Sequence, residues 1–152
     1  MSYSTAEARA QMLDDIAAAA DELAVALACL GEAYEALDED GADALEDNMF
    51  RPVQSAYGRL KRAHAEFAAR YGLPERGFQS RSPGGHSADP KVYVERAVEA
   101  AEEADHRIAE LQDSLLPVEV GDPELRAGLS DTRSALAHVP AQGRRLLRIY
   151  GR

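Results

Sequence analysis

A Glu-x-x-His spacing is the first pattern in this sequence that could do chemistry, and Glu103 and His106 form it. In di-iron carboxylate bundles this spacing occurs twice, and single glutamates from two further helices complete an inward-facing site. Here the spacing occurs once, and the helical frame of its segment places His106 on the outer face and Glu103 at the flank. The sequence therefore predicts no metal ion and no other cofactor, and a metal-dependent bundle enzyme is the least favoured function.

A histidine on an apolar stripe is the second candidate. His64 lies between Leu60 and Phe67 at helical spacing, and Tyr57 stands one heptad before it. An interior pocket lined by Tyr57 and His64 could hold a small ligand, which is the alternative function. A buried histidine that hydrogen-bonds to a tyrosine and fills space left by small alanines is the favoured interpretation.

Five arginines are expected to meet at one end of the predicted bundle: Arg76, Arg81, Arg144, Arg145 and Arg148. Guanidinium groups bind carboxylates and phosphates through paired hydrogen bonds. These arginines could therefore bind an anionic ligand or an acidic protein partner, which is the functional hypothesis. The favoured interpretation is that cations near helix C-termini complement the helix dipoles and that the long loop is a mobile tether.

For two turns around Val25, the first helical segment is apolar nearly all the way round. Ala18, Val25 and Cys29 lie away from its core stripe, so something should cover them. A second copy of the chain is the favoured cover and predicts a homodimer. The alternative cover is the long loop after residue 71, folding back with Phe78.

The sequence shows no pattern typical of nucleophilic catalysis or redox chemistry. Cys29 is the single cysteine, which excludes an internal disulfide and a Cys-x-x-Cys motif. No nucleophile stands at a recognisable spacing from a base, and no paired inward carboxylates are visible. The sequence thus favours a non-enzymatic protein acting through protein–protein contacts, although catalytic groups can converge from distant positions.

The elements that position these residues are predicted to be helices. The chain has 152 residues and 29 alanines, against 3 isoleucines and 8 valines, which is the usage of helix formers. Apolar residues recur every three or four positions in four segments, about 5–38, 43–71, 90–116 and 123–150. Ser4, Asp89 and Asp122 are expected N-caps. Pro52 marks an expected kink or a second helix start, and Pro140 is expected to bend its helix.

Four amphipathic helices predict a single all-α domain over 1–152, an antiparallel up-down-up-down four-helix bundle with a long loop at 72–89. This order places the acidic first and third helices on one diagonal. It also gathers acids at one end of the bundle and the arginines at the other. Opposite charges at opposite ends would permit head-to-tail association.

Overall charge and hydropathy limit the possible partners. The chain carries 17 Lys and Arg against 27 Asp and Glu, a formal net charge of -10 that repels a phosphate backbone. The most apolar stretch, Leu23 to Leu30, is far shorter than the roughly 20 residues of a membrane span. The first residues lack the pattern of a secretory signal. We expect a cytoplasmic protein with no nucleic-acid or membrane contact.

Overall fold

The computed structural model describes residues 4–150, and every regular element among them is a helix, which confirms the all-α prediction. The elements are α1 (Thr5–Ala36), α2 (Glu39–Leu45), a π-helical turn (Glu46–Phe50), α3 (Arg51–Arg70), α4 (Pro90–Asp113), α5 (Leu116–Glu119), α6 (Pro123–Leu136) and α7 (Val139–Tyr150). The second predicted segment begins earlier than expected, at Glu39, because the Asp38 carboxylate accepts a hydrogen bond from the Gly41 amide and caps α2.

The three expected N-caps are present. The Ser4 hydroxyl accepts from the Glu7 amide at 3.1 Å and the Asp122 carboxylate from the Leu125 amide at 2.8 Å. The Asp89 carboxylate caps α4 by accepting from Lys91. Each cap satisfies an amide that the first turn of a helix leaves without a carbonyl partner. These starts are set by local sequence.

The helical geometry changes beside both prolines. Pro52 has no amide hydrogen, and its ring would crowd the carbonyl four residues earlier in a regular helix. The chain widens just before it into the π-helical turn, in which the Arg51 amide donates to the Glu46 carbonyl. Pro140 stands in the first turn of α7, directly after the break that separates α6 from α7. The fourth predicted helix is therefore two helices.

The structure does not confirm the up-down-up-down order. Near the C-terminal end of α1 and the N-terminal end of α4, Cys29 and Arg96 share the Pro83 carbonyl, so these two helices pack side by side in opposite directions. At the other end of α1, the Arg9 guanidinium lies 3.9 Å from the ring centre of Tyr71, the residue that directly follows α3. Both α3 and α4 therefore run opposite to α1 and parallel to each other.

The α6–α7 pair completes the bundle. Ion pairs join Arg70 to Asp122 and Arg59 to Asp131, so α6 is antiparallel to α3, while α6 and α7 also pack on α4. The order is up-down-down-up, and the first and third helical segments are neighbours rather than diagonal partners. The predicted separation of charge into two poles is also wrong, because α7 packs beside the acidic α2.

The predicted apolar stripes form the core. Leu23, Leu60, Ile108 and Leu136, one from each predicted segment, are all buried. A crossover segment, residues 72–89, connects the end of α3 to the start of α4 and passes over α1 on its way. Helix α1 therefore has α3, α4 and the crossover segment around it, which explains why it is apolar on most sides. No helix among residues 4–150 is long and apolar enough to span a membrane.

Candidate functional site

The structure separates the five predicted arginines into two groups. Arg76 and Arg81, in the crossover segment, both bind Asp21 of α1, with Nη2 to Oδ2 distances of 2.8 Å and 3.0 Å. Arg144, Arg145 and Arg148 lie on α7, at the end of the bundle that α2 shares. The single basic site expected from the sequence is not assembled, because the crossover arginines serve to anchor their own segment.

The predicted dimer face on α1 lies partly beneath the crossover segment. Cys29 is fully buried, and its Sγ donates to the Pro83 carbonyl at 3.4 Å. Burial raises the pKa of the Cys29 thiol, which keeps it protonated and able to donate. Ala18 and Val25 are half-buried. The chain supplies a cover of its own here, so this face no longer argues for a homodimer interface.

The predicted interior pocket is filled at His64. This side chain is 3% exposed, and Phe78 of the crossover segment packs edge-on against its ring with 5.2 Å between centroids. Tyr57 is half-buried, and the Lys61 ammonium nitrogen lies 4.1 Å from the centre of the Tyr57 ring. Neither residue lines any of five surface clefts formed by residues 4–150.

The expected hydrogen bond between His64 and a tyrosine is absent from the described residues. His64 Nδ1 is buried without a hydrogen-bond partner there. Burial, followed by the charge of Arg76, lowers the pKa of His64, although Asp14, Glu75 and the Leu13 carbonyl oppose the shift. His64 is thus a buried core residue, as the favoured interpretation had it, but with one unsatisfied ring nitrogen.

The three α7 arginines differ in their surroundings. Arg144 Nη2 lies 3.2 Å from Glu102 Oε2 of α4. Arg145 and Arg148 are exposed and have no ion-pair partner within 4–150. The donor groups of these two guanidinium groups are therefore free to bind a partner molecule.

Arg145 borders a cleft between α7 and the π-helical turn, called here the α7 cleft, with a volume of about 190 Å³. Its lining includes Asn48, Met49, Arg145, Leu146, Ile149 and Tyr150. The side chain of Ile149 is 54% exposed, so the cleft offers apolar surface next to a cation.

The approach of α7 to the π-helical turn depends on Gly143. A Cβ at this position would lie 2.9 Å from Met49 Cε and closer still to Val98, so no larger residue fits without displacement. The π-helical turn directs Met49 into the core and leaves Asn48 exposed. Sequence reasoning missed the contribution of this turn, although Pro52 was the signal that the helix must change there.

A larger groove of about 600 Å³ lies between α4 and the α6–α7 break, but its charged groups are already engaged in ion pairs. Arg133 Nε donates to Asp105 at 2.9 Å, and Arg133 Nη1 donates to Gln112 at 2.9 Å. Ser134 and His106 both line the groove, yet no hydrogen bond joins them, and His106 pairs instead with Glu110. The groove holds no activated nucleophile.

The residues with the Glu-x-x-His spacing are committed to neighbours on their own helix. Glu103 pairs with Arg107, as His106 does with Glu110. In the part of the chain that the structure describes, no three His, Cys, Asp or Glu side chains lie together as a metal site requires.

No protein-family model matches the chain, and comparisons with characterised proteins and with solved structures give no match. Function has to be inferred from the chain's own surface.

Proposed function

We propose that this protein is a non-enzymatic helical bundle that acts through protein–protein contacts, and that the α7 cleft binds an acidic, partly apolar segment of its partner. One observation carries the proposal. Arg145 stands exposed at a cleft beside the exposed Ile149, and none of the described acids pairs with it. The cleft thus offers a cation and an apolar surface together.

This combination suits a protein segment better than a small molecule. Pockets that enclose drug-sized ligands measure about 300–1,000 Å³, and the α7 cleft is smaller. Arginine and tyrosine are enriched among the residues that contribute most to protein interfaces, and Arg145 and Tyr150 both line this cleft. An acidic side chain of the partner pairs with Arg145 or Arg148 while an apolar neighbour covers Ile149.

The test is a titration of isotope-labelled protein with a synthetic peptide of glutamate and leucine, followed by NMR. We expect amide shifts within α7 and the π-helical turn, and binding that weakens as salt is added. The variant Arg145→Glu with Arg148→Glu should bind at least tenfold more weakly, because each substitution replaces attraction by repulsion.

The matched control carries Arg62→Glu and Arg107→Glu, two exposed positions on α3 and α4 that change the net charge equally. It should bind within about twofold of the natural chain. Equal weakening in both variants would show a general charge effect and overturn the α7 cleft as the site. Circular dichroism establishes that all three chains keep the same helical content.

A further inference from the structure

Acidic side chains lie beside the α7 cleft at the same end of the bundle. The stretch from Asp38 to Asp47 contains six acids and no base, whereas α7 contains three arginines and no acid. Helices α2 and α7 pack against each other, and a Cβ at Gly41 would lie 3.3 Å from the Tyr150 ring. Two surfaces of opposite charge therefore stand side by side, which follows from the up-down-down-up order.

Part of this acidic stretch is already engaged. Asp38 caps α2, and Asp47 lies 3.6 Å from Arg51 on the same helical surface. Asp40 and Asp43 are exposed and have no ion-pair partner in the described part of the chain. They are close in sequence and one helical turn apart, so they present a compact negative surface.

We propose that the occupant of the α7 cleft is a second copy of this chain, in a closed two-fold dimer. Arg145 and Arg148 of each copy bind Asp40 and Asp43 of the other, so the same contact forms twice. This inference rests on the proposed function and names its partner. Opposite charges at opposite ends would build open head-to-tail chains, whereas opposite charges side by side at one end can close a pair.

Ile149 supplies the apolar part of this contact. It is exposed beside Arg145, and pairing of the two ends removes it from water in both copies. Ion pairs at an exposed end are individually weak and screened by salt. We therefore expect association that is detectable at micromolar to millimolar protein concentration in low salt and that declines as salt is added.

The experiment exchanges the two charges between variants. One variant carries Arg145→Glu with Arg148→Glu, the other Asp40→Lys with Asp43→Lys. Sedimentation of each variant alone should give a dissociation constant at least tenfold above that of the natural chain, because both contacts become repulsive. An equimolar mixture should restore dimers of one copy of each, because both contacts then join opposite charges.

The control mixture combines Asp40→Lys with Asp43→Lys and the α3–α4 variant Arg62→Glu with Arg107→Glu. Its total charges match those of the first mixture. The α3–α4 variant still pairs with itself, but a mixed dimer would set Arg145 and Arg148 of one copy against the new lysines of the other, so mixed dimers should stay rare. Mixed dimers as abundant as in the first mixture would show unspecific attraction and overturn the dimer. A natural chain that stays monomeric at millimolar concentration in low salt would also overturn it. If a double variant fails to fold, the single pair Arg145→Glu and Asp40→Lys replaces it with the same expected outcomes.

Failure of the dimer and failure of the proposed function give different results. A monomeric chain whose α7 cleft still binds the glutamate–leucine peptide retains the proposed function and has a different partner. A chain whose α7 cleft does not bind that peptide and that does not dimerise loses both proposals.

Discussion

The crossover segment and the C-terminal half of α7 both place arginines near aspartates. The crossover arginines pair with an aspartate of the same chain, whereas Arg145 and Arg148 do not. Arg76 and Arg81 reach Asp21 within the chain, Cys29 and Arg96 donate to the Pro83 carbonyl, and Phe78 lies over His64. At the α7 end, Arg145 and Arg148 stand near the acids of α2 without pairing to any acid among residues 4–150.

The difference shows that the type of backbone that carries an arginine decides whether the arginine pairs within the chain or stays free to bind a partner. The crossover segment has no helical hydrogen bonds of its own, so its backbone and side chains are free to reach α1 and α4. The arginines of α7 are fixed to a rigid helix whose orientation is set by the packing of Gly143, Val139 and Leu146. A helix cannot turn its outer face towards a neighbour without losing its core contacts.

Phe78→Ala should give the largest effect, on the crossover side. Removing a half-buried ring that covers His64 should lower the free energy of unfolding by about 1–2 kcal/mol, less than for a fully buried phenylalanine. Urea unfolding measures the change. The neighbouring substitution Gln79→Ala, at an exposed position, is the control and should change stability by less than about 0.5 kcal/mol. Equal values for both variants would show that the crossover segment does not cover the core.

A smaller effect is expected from pH. Because burial lowers the pKa of His64 in the folded chain, the unfolded chain takes up a proton first as pH falls. The associated stability is complete above the ordinary histidine pKa of 6.5 and is lost as pH falls from there towards the folded value. His64→Leu should remove this part of the pH dependence.

Thermal unfolding between pH 8 and pH 5 measures the pH effect. The control is a substitution at the exposed His138, His138→Ala, which leaves the buried His64 and its contribution to the pH dependence in place. Parallel curves for the natural chain and His64→Leu would show that His64 is not shielded from water.

Ile149→Ala should have the smallest effect on folding, and it sharpens the contrast. Because the side chain is 54% exposed, its truncation should change the free energy of unfolding by less than about 0.5 kcal/mol. The same substitution should weaken binding of the glutamate–leucine peptide several-fold, because it removes the apolar part of the α7 cleft. Chemical denaturation measures the change in the free energy of unfolding, and the NMR titration measures the change in peptide affinity. A large loss of stability would place Ile149 in the core instead of at a binding surface.

Features that depend on neighbouring residues were readable from the sequence. Asp89 and Asp122 cap their helices because an aspartate before Pro90 or Pro123 can satisfy a first-turn amide. Leu60 and Ile108 are buried because helical spacing aligns them with other apolar residues. The candidate site was only partly readable: Arg145 was identified, but Asn48 and Ile149 were not, because their place depends on which helix lies beside α7.

The sequence by itself determined that the chain is helical, where α1, α4 and α6 begin and which faces are buried, since these properties follow from interactions within one or two turns. Only the tertiary structure decided that the crossover segment passes over α1, that α4 runs parallel to α3, and that the α7 arginines share an end with the acids of α2. Either helix order buries the same apolar stripes, so hydrophobic spacing cannot distinguish between them. Exposed ion pairs are each worth under about 1 kcal/mol, too little for the charge pattern to predict the order from sequence.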